Sequence, residues 1–357
     1  MKVYKFGNAA LKDSKALALA VETVREESPE IIVVSAMGST ALDLGRAASA
    51  AQDRKEYLDI LEGIRAFHKK VAEETLGSQA YAPAMEEMDK ILPELRDLLH
   101  GVQLLKDLST RTLDQILSFG ERLSALLFSF AMNSRGIPAL VADSRDFICT
   151  DAHFGQARCL EGDSKSLIRA AFQDMGAKKV VVTGFLGATK EGYTTTLGQG
   201  GREFVACMLG ASLDAEEVQI WTDAAGMLTA DSALVPDAFP IEEISYEEAL
   251  EMTHFGARVL SPASLHPVMM AGIPVRIRDC RNPSSRGTRI VARARPSDFP
   301  VRGLASIPAV ALLSIHGLGL PGVTGIAGRM FGALAAAKIN VILITQASSE
   351  LSICCAI

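Results

Sequence analysis

Short runs of β-branched and apolar residues alternate along the chain with longer stretches of helical period. Lys2–Phe6, Ile31–Ser35, Ala139–Asp143, Lys179–Thr183, Glu217–Thr222 and Val275–Arg278 read as buried strands, because continuous apolar runs of this length suit a sheet covered on both faces. Ser14–Glu27 and Glu121–Ser134 between them carry apolar positions at three- and four-residue spacing and read as crossover helices. This alternation predicts an α/β fold with a largely parallel sheet. The charged, helically periodic stretch Asp43–Leu113 reads as helices packed outside that sheet, its charges forming a solvated face.

The pattern breaks after Ile290, where Arg293, Arg295, Pro296, Pro300 and Gly303 make a polar, proline-bearing connector. Val310–Ile315, Gly325–Ala337, Val341–Gln346 and Ser352–Ile357 then read as strand, helix, strand and strand, the opening of a ferredoxin-like unit. The expected organisation is a catalytic domain over 1–292, a linker over 293–303 and a partial second domain over 304–357. A ferredoxin-like unit needs another helix and strand, so a fragment of a longer polypeptide is expected.

Composition narrows the function. Of 357 residues 48% are hydrophobic and 22% charged, and the net charge is -6, which argues for a globular protein lacking the basic stripe that nucleic acid requires. No run reaches the length that spans a bilayer, and the chain opens directly on a strand-like segment, so a cytoplasmic location is expected. Cys149, Cys159, Cys207, Cys280, Cys354 and Cys355 show no CxxC spacing and the histidines no ligand spacing; buried thiols and no protein-ligated transition metal are expected.

Three glycine loops border predicted strands: Lys5-Phe6-Gly7-Asn8, Ser35-Ala36-Met37-Gly38-Ser39 and Thr196-Leu197-Gly198-Gln199-Gly200-Gly201. Backbone amides in such loops hold phosphate in the crevice beyond the strand ends of an open α/β sheet. Neither a GxxxxGK[ST] loop nor the HRD and DFG set of a protein kinase is present. Gly317-Leu318-Gly319-Leu320-Pro321-Gly322 fits the dinucleotide fingerprint, but only 35 residues follow it, too few for the remainder of a nucleotide-binding half.

These loops belong to an ordered series: Phe119-Gly120-Glu121-Arg122-Leu123-Ser124, Thr183-Gly184-Phe185, Trp221-Thr222-Asp223, Ile244-Ser245-Tyr246-Glu247-Glu248-Ala249 and Phe255-Gly256-Ala257. The series resembles the aspartokinases of the amino acid kinase family over residues 1 to about 292. Residues 317–353 are similar to the first regulatory ACT unit of those enzymes, in the form fused to homoserine dehydrogenase. The resemblance implies a carbamate kinase-like αβα sandwich ending in a partial ACT domain. It implies transfer of the ATP γ-phosphoryl group to the β-carboxylate of L-aspartate, with Mg²⁺ arriving on ATP.

By the same resemblance Lys5 meets the phosphates beside Gly7, Gly38 and Gly200. Glu121 and Thr40 lie at the substrate, Glu121 holding its ammonium group, and Glu203 serves catalysis near the magnesium shell. Gly201, Thr222, Asp223 and Arg258 line the nucleotide. A strand-end surface lysine and a carboxylate at a helix N-terminus remain the structural alternatives for Lys5 and Glu121.

The departures are local. Where the family has Lys-Phe-Gly-Gly-Thr-Ser, the chain has Lys5-Phe6-Gly7-Asn8-Ala9-Ala10. The arginine, serine and aspartate of Leu-Gly-Arg-Gly-Gly-Ser-Asp are Gln199, Arg202 and Glu203. If the helix has begun by Gln199, Arg202 shares its face and replaces the lost guanidinium. A catalytically weakened regulatory or assembly module, or a kinase for another small amino acid, stays open beside aspartate kinase. The ACT unit implies an amino-acid effector at its interface and a homo-oligomer.

Overall fold

The computed structural model describes residues 1–173, 178–254, 260–297, 299–307, 309–317, 324–346 and 352–357. It divides into two compact units, Met1–Ala305 and Ser306–Ile357.

The first unit begins with β1 (Lys2–Phe6), α1 (Ser14–Glu27), β2 (Ile31–Val34), α2 (Thr40–Gln52), α3 (Leu58–Thr75), α4 (Ser78–Leu105), α5 (Thr110–Asn133) and β3 (Ala139–Ala142). It continues with α6 (Glu161–Ala171), β4 (Lys179–Thr183), β5 (Leu186–Ala188), β6 (Thr194–Thr196), α7 (Gly201–Ser212) and β7 (Glu217–Thr222). β8 (Glu243–Ser245), α8 (Tyr246–His254), α9 (Pro262–Ala271), β9 (Val275–Asp279) and β10 (Thr288–Val291) complete it. Among the described residues eight strands form one sheet in the order β3-β4-β2-β1-β7-β9-β10-β8, and β5 and β6 form a separate hairpin.

Alternation along the strands assigns two faces. Val3, Val33, Val182 and Ile220 pack with Val205 and Leu209 of α7 and with Leu265 of α9. Tyr4, Phe6, Val34 and Trp221 pack on the other face with Val21 of α1 and Phe128 of α5. The result is an αβα sandwich. A further apolar cluster, including Leu44, Ile64, Leu95, Phe119 and Leu123, joins α2, α3, α4 and α5 beyond the sheet, so the charged stretch after Asp43 does form an outer helical layer.

Two local differences from the sequence reading matter for the site. The helix expected from Glu121 begins at Thr110, where the Ser109 side chain accepts from the Thr112 amide; Glu121 therefore stands mid-helix, and the helix-N-terminus alternative for it is withdrawn. α7 begins at Gly201 behind a left-handed Gly200 cap, so Gln199 precedes the helix and shares no helical face with Arg202.

The second unit contains β11 (Leu312–His316), α10 (Ile326–Ala336), β12 (Leu343–Gln346) and β13 (Ser352–Ala356). Its antiparallel order is β11-β13-β12. Met330 and Leu334 of the helix bury against Ile353 and Cys355, giving the expected βαββ piece of a ferredoxin-like fold. The fingerprint-like glycines after Gly317 and the segment Ala347–Glu350 lie outside the described residues.

Candidate active site

The central parallel strands end in step. Phe6 is level with Val34 of β2 and Trp221 of β7, and Val34 is level with Thr183 of β4. Their following loops therefore open at one carboxyl-end crevice, the usual ligand position in an open α/β sheet. The Gly7 amide donates to the Trp221 carbonyl at 2.9 Å, and a β-carbon there would stand 3.1 Å from Lys5 Nζ. Gly38 has φ +52°, where a β-carbon would lie 2.7 Å from the Phe67 ring. Both observations explain glycine by close approach or by left-handed geometry. Asn8, exposed beside them, donates its side-chain amide to the carbonyls of Ala36 and Gly38, tying the first loop to the second.

The third loop supplies a helix N-terminus. Gly200 caps α7 at φ +82°, and a β-carbon on it would fall 2.6 Å from the Ser261 side chain. The unpaired amides of the first turn form an anion-binding end. Glu203 in that turn reaches Lys5, with Nζ to Oε1 at 2.5 Å, and Lys5 is almost wholly buried. Burial by itself raises the Glu203 pKa, but the charges of Lys5 and Arg202 overcome it and hold the carboxyl below its ordinary range.

A second ion pair lies beside the first. Arg202 donates from Nε at 3.0 Å and Nη2 at 2.8 Å to a single oxygen, Oε1 of Glu121. That oxygen also accepts from the Ala36 amide at 3.3 Å. The guanidinium is stacked over the Phe185 ring, 4.6 Å from its centroid. Burial pushes the Glu121 pKa up, and Arg202 opposes the shift. Glu121 Oε2, with the hydroxyls of Ser35 and Ser124, is buried without a hydrogen-bond partner.

Not every expected residue joins this cluster. Thr40 is buried at the start of α2. Thr222 ends β7, and its hydroxyl donates to the exposed Asp223 at 3.2 Å. Gln199 is exposed and lines a cleft of about 420 Å³ together with Gly200, Gly201, Phe204 and His266. Arg258 and the Phe255-Gly256-Ala257 motif lie outside the described residues.

Asp114 escaped the sequence reading. Buried in α5, it accepts from the Gly155 amide and from both the amide and the hydroxyl of Thr196. It thereby anchors the strand leading into the third glycine loop to the helix carrying Glu121. The only sequence signal is a lone acid among Leu113, Ile116 and Leu117.

Residues 1–279 match the model of the amino acid kinase family. The chain belongs to the amino acid kinase family. Residues 313–357 match an ACT domain. Among its relatives in the amino acid kinase family is bifunctional aspartokinase/homoserine dehydrogenase 2, chloroplastic, of Arabidopsis thaliana, 33% identical over 367 residues, covering 99% of this chain and 40% of that protein. The chain thus spans well under half the length of the bifunctional relatives. Lysine-sensitive aspartokinase 3 of Escherichia coli is 32% identical over 356 residues, covering 98% of this chain and 77% of the relative. The crystal structure of E. coli aspartokinase III in complex with aspartate and ADP superposes with a TM-score of 0.83 at 29% identity, covering all of this chain and 78% of that one. The same enzyme in complex with lysine and aspartate gives 0.81 at 29% identity, with the same coverage.

Proposed function

We propose that this chain transfers the γ-phosphoryl group of ATP to the β-carboxylate of L-aspartate, giving 4-phospho-L-aspartate and ADP. A β-carboxylate oxygen attacks the γ-phosphorus while the bond to the β,γ-bridging oxygen breaks, and that oxygen leaves with ADP. One observation carries the reading: Lys5, the α7 N-terminus and the Gly7 and Gly38 loops converge at one crevice, in a chain whose relatives are aspartokinases. Phosphoryl transfer rests on positioning and charge neutralisation, and these are the groups that supply both.

In this reading Lys5 exchanges Glu203 for phosphate oxygens when ATP enters. Amides near Gly7, Gly38, Gly200 and Gly201 carry the remaining phosphate charge. Thr222, Asp223 and Arg258 belong to the nucleotide side, and Arg202 carries substrate carboxylate in place of Gln199. Thr40 lies on the acceptor side. Mg²⁺ would arrive on ATP held largely through phosphate, a mode that needs only one or two protein carboxylates; Glu203, once released by Lys5, would supply one, and the ion would neutralise charge on the transferring group.

The ACT piece is proposed to pair with another such unit in a homo-oligomer and to place an end-product amino acid such as threonine or lysine at that interface. Among the described residues no helix is long and apolar enough to cross a membrane. A second reading, a weakened regulatory or assembly module, draws on the fact that Lys5 and Glu121 each already have an internal partner. The test is ADP release with Mg-ATP and L-aspartate, with the acyl phosphate trapped by hydroxylamine. Aspartate-dependent hydroxamate, lost in Lys5→Ala, supports the kinase; nucleotide binding without it supports the module.

A further inference from the structure

We infer that the acceptor pocket reads substrate carboxylates through Arg202 and does not read an α-ammonium group, so that it takes dicarboxylates of aspartate's length as a class. The inference rests on the proposed carboxylate phosphorylation. Its ground is the order in which the two charges of the pair meet the crevice. The Arg202 side chain is 30% exposed and that of Glu121 only 1%. Of the two charges the guanidinium is thus the one open to a ligand, and the carboxylate is closed off.

Arg202 is not poised to swing aside. Two of its nitrogens end on Glu121 Oε1, and its plane rests on Phe185. Oε1 is further occupied by the Ala36 amide, and Oε2 is enclosed. An ammonium group reaching Glu121 meets a fixed cation on its path and a carboxylate whose charge is already neutralised. A carboxylate meets the same cation favourably, at donor positions that the Glu121 bonds leave free. Glu121 is accordingly a positioning residue for Arg202.

The phosphorylation step is unchanged for an acid without the amine: a carboxylate oxygen takes the γ-phosphoryl group and ADP leaves. The test compares succinate with L-aspartate in the purified chain, by calorimetric affinity and by kcat/KM with Mg-ATP. Values for the two acids within about tenfold are expected, whereas a larger preference for aspartate in affinity overturns the inference, as does binding of neither acid. Equal binding of both acids with no phosphoryl transfer to either removes the kinase reading and upholds this one.

Two variants separate positioning from ammonium binding. Glu121→Gln is expected to raise KM for both acids by the same factor, through a loosened Arg202; a loss confined to aspartate overturns the assignment. Arg202→Ala is expected to weaken both acids by roughly 30-fold or more, with partial recovery in Arg202→Lys. Unchanged affinity in Arg202→Ala overturns it. Should Glu121→Gln fail to fold, the comparison of the two acids in the unaltered chain decides.

Discussion

Two of the ionic groupings on the sheet are wired differently. At the carboxyl-end crevice Lys5 pairs with Glu203 and Arg202 with Glu121, one partner each. On the face of β7, β9, β10 and β8, Glu217 is shared by Arg276 and Arg289, and Glu243 by Arg289 and Arg295. Removing Arg289 from the shared cluster leaves Glu217 with Arg276 and Glu243 with Arg295. Removing one member of a buried single pair strands a charge in a poorly solvated place, the costly case. Sharing thus marks the Glu217–Glu243 cluster, whereas each crevice pair stands alone.

The widest gap between the regions is expected from Glu203→Gln. It leaves Lys5 buried and unpaired, at a cost of roughly 3 kcal/mol or more in urea unfolding; a cost below about 1 kcal/mol breaks the comparison.

His68 sharpens it by showing a buried titrating group with no counter-charge. Its Nδ1 lies 2.8 Å from the Ile64 carbonyl, Nε2 has no partner, and burial lowers its pKa from 6.5 to about 4. Above pH 6.5 the ring is neutral in folded and unfolded chains alike. As pH falls from 6.5 towards 4 the unfolded chain takes up a proton that the folded chain refuses, so stability drops, by roughly 3 kcal/mol across the window. The difference in stability between the parent and His68→Leu should trace that curve.

Gly38→Val tests the backbone of the crevice without touching a charge. Its left-handed φ and the nearby Phe67 ring predict a loss of roughly 2 kcal/mol in melting experiments. The smallest effect is expected from Arg289→Gln, whose loss should stay under about 1 kcal/mol because Glu217 retains Arg276 and Glu243 retains Arg295. A loss as large as that of Glu203→Gln would erase the distinction between the two regions.

The scaffold was legible wherever one physical signal dominated. Lys2–Phe6, Lys179–Thr183 and Glu217–Thr222 are strands with the expected bounds, because each is a run buried on both faces. β5, β6 and β8 are three residues each, too short for any period to register. The start of α5 was hidden by polar Thr110, Thr112, Asp114 and Gln115, of which Asp114 is held by tertiary hydrogen bonds. In the crevice, sequence pointed to Lys5, Glu121, Arg202 and Glu203 as separate participants. It gave no sign that they pair, since Arg202 and Glu121 are 81 positions apart and Lys5 and Glu203 198. The direction of Gln199 was equally hidden, because it depends on whether α7 starts before or after a left-handed glycine.

The aromatic packing around β7 has an optical consequence. Trp221 is the sole tryptophan of the chain; it is fully buried, stacked near Phe6 and beneath the Arg278 guanidinium at 4.5 Å. Its own carbonyl receives the Gly7 amide of the first loop. Any rearrangement of that loop must pass through the residue that dominates the ultraviolet emission of the protein. The chain therefore carries an intrinsic reporter at the mouth of its crevice, and ligand entry can be followed by fluorescence without a label.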